Sequence, residues 1–144
     1  LGESVAICRY LEAIQPEPNL MGRDAFELGH IEMRNRHIET ELWSQVGVSW
    51  VNGPIVAAMG IFKQIPAAKE ASDVNVNNYY ERIDRELGES AYIAGDRFPI
   101  VDITLLTAVD FATSLVGLKP AESLANLWRW HALVCERESV DVQD

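Results

Sequence analysis

Apolar residues recur at helical spacing along almost the whole chain, and this periodicity constrains the fold more than any other feature. After Asp24, residues Leu28, Ile31, Ile38, Leu42 and Val46 succeed one another at steps of three, seven, four and four. That is the repeat of a long helix with one core-facing stripe. Val76, Tyr80, Ile83 and Leu87 step by four, three and four. The stretch FPIVDITLLTAVDFATSLVG is apolar nearly all round, as expected of a helix at the centre of a bundle. Val5, Ile7, Cys8, Leu11 and Ile14 share one face of a first helix, and Leu124, Leu127, Trp128, Ala132, Leu133 and Cys135 supply a last one. No alternating β-branched run lies between hairpin turns. An all-α bundle of five or more helices is therefore expected.

Local signals divide these helices. Gln15-Pro16-Glu17-Pro18-Asn19 ends the first, because proline disfavours helix at the preceding residue. Asp24 and Glu27 form an Asp-x-x-Glu capping box that opens the second. Gly47 should weaken that helix, and Asn52-Gly53-Pro54 should kink or break it. Phe62 to Ser72, with Pro66 and small residues, reads as a loop before the third long helix. Gly95-Asp96 reads as a turn, and Lys119-Pro120 should end the central helix. The polar tail from Glu138 should fray.

Charge narrows the function classes. The 144 residues hold 22 acids against 12 bases, for a net charge of −10. Such a chain lacks the basic footprint of a nucleic-acid binder, and an anionic membrane surface would repel it. No apolar run approaches the ~18 residues of a membrane span, and no secretory leader is visible. Cys8 and Cys135 lie far apart within apolar helical patterns, so free thiols in a reducing, cytoplasmic compartment are expected. His30 and His37 are too sparse for a metal site, and no metal or cofactor is expected. His37 and Glu41, four residues apart, suit a solvated contact.

Several motifs resemble the glutathione transferase family. ESVAICRYLE resembles the last strand-to-helix junction of its thioredoxin-like domain: Glu3-Ser4, a short apolar helix, Tyr10-Leu11, then a linker with Pro16. YIAGDRFPIVDITLL resembles the Gly-Asp turn and central helix of its helical domain. LANLWRWHALVCERES looks like the closing helix, and IEMRNRHIETEL like the long fourth helix of bacterial members. The resemblance implies that residues 1–15 end an N-terminal domain, 16–23 form the linker and 24–144 the helical C-terminal domain. About 60 residues would precede them. Arg34, where relatives carry Trp, and Glu138, where Pro is usual, depart from the family pattern.

The implied chemistry adds glutathione thiolate to a small hydrophobic electrophile in a cytoplasmic homodimer, with glutathione as co-substrate. The dimer faces would be the long helices from Asp24 to Val51 and from Val76 to Leu87. A glutathione-dependent reductase, dehalogenase or isomerase, or a non-enzymatic docking scaffold, remains the alternative. The thiol-ionising residue would lie upstream, so no catalytic residue is assigned, and these residues alone are expected to be inactive. Ser4, at a helix N-terminus, suits the γ-glutamyl carboxylate, and Glu3 suits its ammonium. The same two residues also read as an N-cap and a favourable helix-start charge. Trp43, Val46 and Trp50 share a helix side, with Gly47 leaving room between the indoles. They read as a hydrophobic-substrate pocket or as ordinary core or dimer packing.

Asp102 reads as buried and structural. Family members place Ser or Thr three residues before it, whereas here Pro99 can form neither bond of a capping box. Its carboxylate should then take N–H groups between Gly95 and Phe98, and Phe98 should pair with Ile103 as a hydrophobic staple.

Overall fold

In the computed structural model, which describes residues 1–140, the apolar stripes close on one another. Helix α1 (Ser4–Ile14) leads through an irregular linker to α2 (Ala25–His37). The backbone continues unbroken through a π-helical stretch (Ile38–Trp43) into α3 (Ser44–Val51). A short α4 (Pro54–Met59) and the long α5 (Pro66–Leu87) come next. The central α6 (Ile100–Phe111) runs into a second π-helical stretch (Ala112–Val116), and α7 (Ala125–Cys135) comes last. The described residues contain no strand, only an isolated bridge between Tyr92 and Gly95. The chain is all-α, as expected. The fraying expected of the tail falls partly on residues 141–144, outside the described residues.

Helix α3 lies along α5, α5 against α7, and α2 against α6. Ile38, Leu42 and Val46 meet Val76, Tyr80, Ile83 and Leu87 around Leu105, Val109 and Trp130, all fully buried. Each such large side chain contributes roughly 1.5–3 kcal/mol by leaving water. Leu28 departs from its stripe and is exposed.

The third helix starts earlier than its apolar spacing indicates. Residues 66–72 are not loop: Pro66 opens α5 and Ala67, Ala68 and Ala71 continue it. Proline suits a first helical position and alanine is the strongest helix former, so a stretch that looks like a linker is a helix start. The central helix ends at Gly117 (φ 82°), before Lys119-Pro120. There the Leu118 N–H closes on the Ala112 carbonyl at 2.9 Å. Asn52-Gly53 does separate two helices, whereas Gly47 lies inside an unbroken one.

Capping is partly local and partly tertiary. Asp24 Oδ1 accepts the N–H groups of Phe26 and Glu27 at 2.8 and 2.9 Å. Glu27 reaches back to the Arg23 N–H at 2.9 Å, one residue further than a standard box. No local side chain caps α7. Instead Asp84, on α5, accepts the Leu127 N–H at 2.9 Å, and Arg129, on α7, donates to the Leu87 carbonyl at 2.6 Å. The two helices thus cap one another. Glu41 pairs with Arg82 of α5, not with His37, because the cross-helix guanidinium supplies a full charge. Arg34 pairs with Glu86.

Asp102 is fully buried. Its Oδ1 accepts Trp130 Nε1–H at 2.5 Å and the Ile93 N–H at 3.2 Å, and Oδ2 is buried with no partner among the described residues. The expected donors between Gly95 and Phe98 are not used. The turn closes on itself, with the Tyr92 N–H bonded to the Gly95 carbonyl at 2.9 Å, and Ile93 is the residue that faces the acid. Phe98 packs on Tyr92 and beneath the Arg137 guanidinium, while Ile103 lies at the surface beside α1. Burial pushes the Asp102 carboxyl up to about 7, against the opposing pull of its two hydrogen bonds.

Both acids should register in stability. Asp84→Ala should cost about 1 kcal/mol in urea denaturation, as for loss of an N-cap. Asp102→Ala should cost roughly 1–3 kcal/mol by the same measurement. The folded state binds the Asp102 proton more tightly than the unfolded chain, whose carboxyl titrates near ~3.9. This group's contribution is therefore full at low pH and is lost as pH rises through about 7. Asp102→Asn stays neutral, so its stability relative to the parent should rise between about pH 4 and 7 and level off above. A pH-independent difference would sink the assignment.

Candidate functional site

The N-terminus of α1 is built differently from that of α2. Glu3 adopts φ 64°, ψ 121°, a strained conformation for a residue with a side chain. Its carbonyl accepts the Ile7 N–H at 3.0 Å and so begins the helix. Among the described residues no side chain caps this end. Ser4 is the first helical residue and not the cap, and both Glu3 and Ser4 are exposed. The first N–H groups of a helix lack intrahelical partners, so α1 presents free donors and a partial positive charge.

These donors border a cleft of about 410 Å³. Ser4, Val5 and Cys8 form one wall, Glu39 and Trp43 of the π-helical stretch the second, and Ile100, Ile103, Thr104 and Thr107 of α6 the third. Ser4 and Trp43 therefore share one cavity. Val46 does not line it and is buried in the core. Trp50 does not line it either, and meets Phe111 edge-on with centroids 5.3 Å apart. Trp43 tilts against Phe111 at 5.6 Å, so both indoles pack on this ring. Trp43 closes the π-helical stretch and Trp50 follows seven residues later in α3, so the two stay on one side of the helix and meet on Phe111, while only Trp43 reaches the cavity.

A polar chain behind the cleft escapes pattern reading. Thr104 Oγ1 donates to Asn35 Oδ1 at 2.6 Å, and Asn35 Nδ2 donates to Glu39 Oε1 at 3.0 Å. Asn35 is buried with both ends of its amide satisfied, and this orients Glu39 and Thr104 toward the cavity. The available signal is that Asn35 falls between Ile31 and Ile38 on the apolar stripe, a place for a buried polar partner.

A second groove, also about 410 Å³, runs along the other side of α1. Leu11, Ile14, Leu20, Met21 and Ile103 make it apolar, and Cys8 borders both cavities. Glu12, which sequence reading passes over, ties the linker to α1. Its carboxylate accepts the N–H groups of Leu20 and Met21 at 2.7 and 3.0 Å and Asn19 Nδ2 at 2.8 Å. Cys8 and Cys135 are both unbridged. Among the described residues no His, Cys, Asp and Glu cluster could hold a metal ion, and no helix is long and apolar enough to cross a membrane.

Comparison with known proteins gives this cavity a context. Residues 51–138 match the family described as "Glutathione S-transferase, C-terminal domain". Over 145 residues the chain is 30% identical to Glutathione S-transferase 2 of Saccharomyces cerevisiae, covering 97% of this chain and 60% of that protein. It therefore spans less than two thirds of that relative. The crystal structure of Gtt2 from Saccharomyces cerevisiae has a TM-score of 0.85 at 30% identity, covering 97% of this chain and 67% of that one. A glutathione S-transferase of class Gtt2 from Vibrio parahaemolyticus also scores 0.85, at 29% identity over 99% of this chain and 66% of its own. A glutathione S-transferase domain-containing protein of Marinobacter aquaeolei VT8 scores 0.85 at 26% identity, over 97% and 68%.

Proposed function

We infer the function from one premise: the chain belongs to the glutathione S-transferase C-terminal domain family. In this reading it is the helical part of a glutathione transferase. Residues 1–15 end a thioredoxin-like domain, 16–23 link, and 24–144 form the helical domain. The exposed apolar side chains Ile7, Tyr10, Leu11 and Ile14 on α1 support a neighbouring domain packed there.

The observation that carries the reading is the cavity that Ser4 shares with Trp43. The γ-glutamyl carboxylate of glutathione binds the free N–H groups of α1 and the Ser4 hydroxyl, because an anion is stabilised by donors and dipole at a helix N-terminus. Glu3 pairs with the ammonium of the same group. The strained backbone at Glu3 supports this role, since such strain gathers at binding sites. A small hydrophobic electrophile rests against Trp43 and Ile103, with Val46 and Trp50 bracing the wall behind. The thiolate sulfur then bonds to the electrophilic carbon. The group that ionises the thiol lies outside this chain, and no further cofactor is needed.

The intact enzyme is a cytoplasmic homodimer in this reading. Exposed Met33 and Val48 on the first long helix and Val74 on α5 support paired faces. A reducing cytoplasm fits two unbridged cysteines.

In the full-length enzyme, Ser4→Ala should raise KM for glutathione roughly tenfold or more, the loss of one hydrogen bond to a charged group. The melting temperature should stay close to the parent value. An unchanged KM would remove Ser4 from the site. The 144 residues alone should show no micromolar glutathione binding by calorimetry.

A further inference from the structure

Where α6 packs on α7, away from the cleft, three side chains of complementary chemistry meet. His131 and Cys135 stand one turn apart on α7, and Asp110 lies near the end of α6. His131 Nε2–H donates to Asp110 Oδ1 at 2.7 Å. In the neutral ring that leaves Nδ1 unprotonated, and the Cys135 sulfur lies 3.6 Å from it. The imidazole is held from the sides as well: the Trp128 and Trp130 rings meet it edge-on at 5.5 and 6.4 Å. Cys135 is half-buried and unbridged, at the last turn of its helix. Cys8 is also half-buried but has no hydrogen-bonding base beside it among the described residues.

We propose that Asp110, His131 and Cys135 act as orienter, base and nucleophile, and make Cys135 a thiol that is selectively captured by low-molecular-weight disulfides. Asp110 fixes the tautomer, and His131 Nδ1 takes the S–H proton. The Cys135 sulfur attacks one sulfur of R–S–S–R. A Cys135–S–S–R bond forms, the R–S–S–R bond breaks, and R–S⁻ leaves with the electron pair and takes the proton from His131. Cys135 is oxidised and the departing sulfur is reduced.

The surroundings favour this chemistry over acyl transfer. Among the described residues His131 is the sole hydrogen-bond partner of the Cys135 sulfur. Disulfide exchange requires no oxyanion donors, only a proton acceptor and access to a second sulfur. Burial, with the negative charge of Asp110, pushes the thiol pKa up, so the sulfur rests protonated and its reactivity depends on the ring. Among the described residues, Tyr80 on α5, whose phenol burial keeps protonated, feels the charge of Asp110, and Lys119 stacks on Trp128. Glu136, next along the chain, is exposed. The proposal is independent of glutathione binding at Ser4.

The test exposes the intact protein to oxidised glutathione, quenches in acid at intervals, and reads mixed-disulfide occupancy at Cys8 and Cys135 by peptide mass spectrometry. Cys135 should react at least about tenfold faster than Cys8, and His131→Asn should remove that advantage at neutral pH. In His131→Asn the rise of the Cys135 rate with pH should move to higher pH, while the Cys8 rate stays unchanged. Asp110→Asn, a surface change that preserves folding even if His131→Asn does not, should lower the Cys135 rate more modestly. Equal rates at the two cysteines, or a Cys135 rate indifferent to Asp110→Asn in folded protein, would overturn the proposal.

Discussion

The buried carboxyl of Asp102 is the constraint on which the rest of the bundle depends. It stands where the first turn of α6, the loop at Ile93 and the indole of Trp130 meet. Trp130 is the largest fully buried side chain, and its one polar atom is satisfied only there. An unpaired indole N–H at that depth would cost about 1–3 kcal/mol. Fixing Trp130 fixes the register of α7, and this register sets the reciprocal caps between Asp84 and Leu127 and between Arg129 and Leu87. On its other side the start of α6 holds the linker, through the Ile100 N–H and the Leu20 carbonyl at 2.9 Å. Glu12 then carries that register to α1. Two walls of the cleft are therefore positioned from one acid.

The third wall depends on winding. Both long helical runs pass through π-helical stretches, and each stretch packs against the other run: Ile38–Trp43 against α6, and Ala112–Val116 against α3. Phe111, just before the second stretch, takes Trp43 and Trp50 on its ring. Trp43, the last residue of the first stretch, lines the cavity while its neighbour Leu42 stays in the core.

Much of this is legible in the periodicity. Ile38, Leu42, Val46, Val76, Tyr80, Ile83 and Leu87 are core because a stripe of period 3.6 has to be buried somewhere. Asp24 is legible as a cap because the capping box is a local code. The illegible features depend on distant partners. Asp84 caps a helix 43 positions away. Asp102 chooses Ile93 and Trp130 over the nearer N–H groups of its own turn. The start of α5 is hidden because Pro66 and the alanines after it are ambiguous between linker and helix until packing decides. At the cleft, Ser4 and Trp43 stand out in the sequence and border one cavity, whereas Asn35, Glu39 and Thr104 do not stand out. Their link is a hydrogen-bond chain between two helices, invisible to spacing along either.

A chain of net charge −10 has few cations to spare for an anionic ligand. Its lysines and arginines are largely engaged: Arg34, Arg82 and Arg97 with Glu86, Glu41 and Glu27, and Lys69 with Asp73. Any attraction for a carboxylate must then come from the backbone, and the N-termini of α1 and α2 differ in whether they can provide it. At α2 the donors are consumed by Asp24. At α1 they are left open, and the residue before them is held at a positive φ that costs of order 1–3 kcal/mol. That strain persists because α1 is fastened elsewhere, by Arg9 to Glu32 and by Glu12 to the linker. A helix end that is strained, uncapped and anchored from behind gains nothing for stability by being so. It is the arrangement expected where donors are kept free for a ligand, and under the proposed function the affinity of this face would reside in backbone geometry.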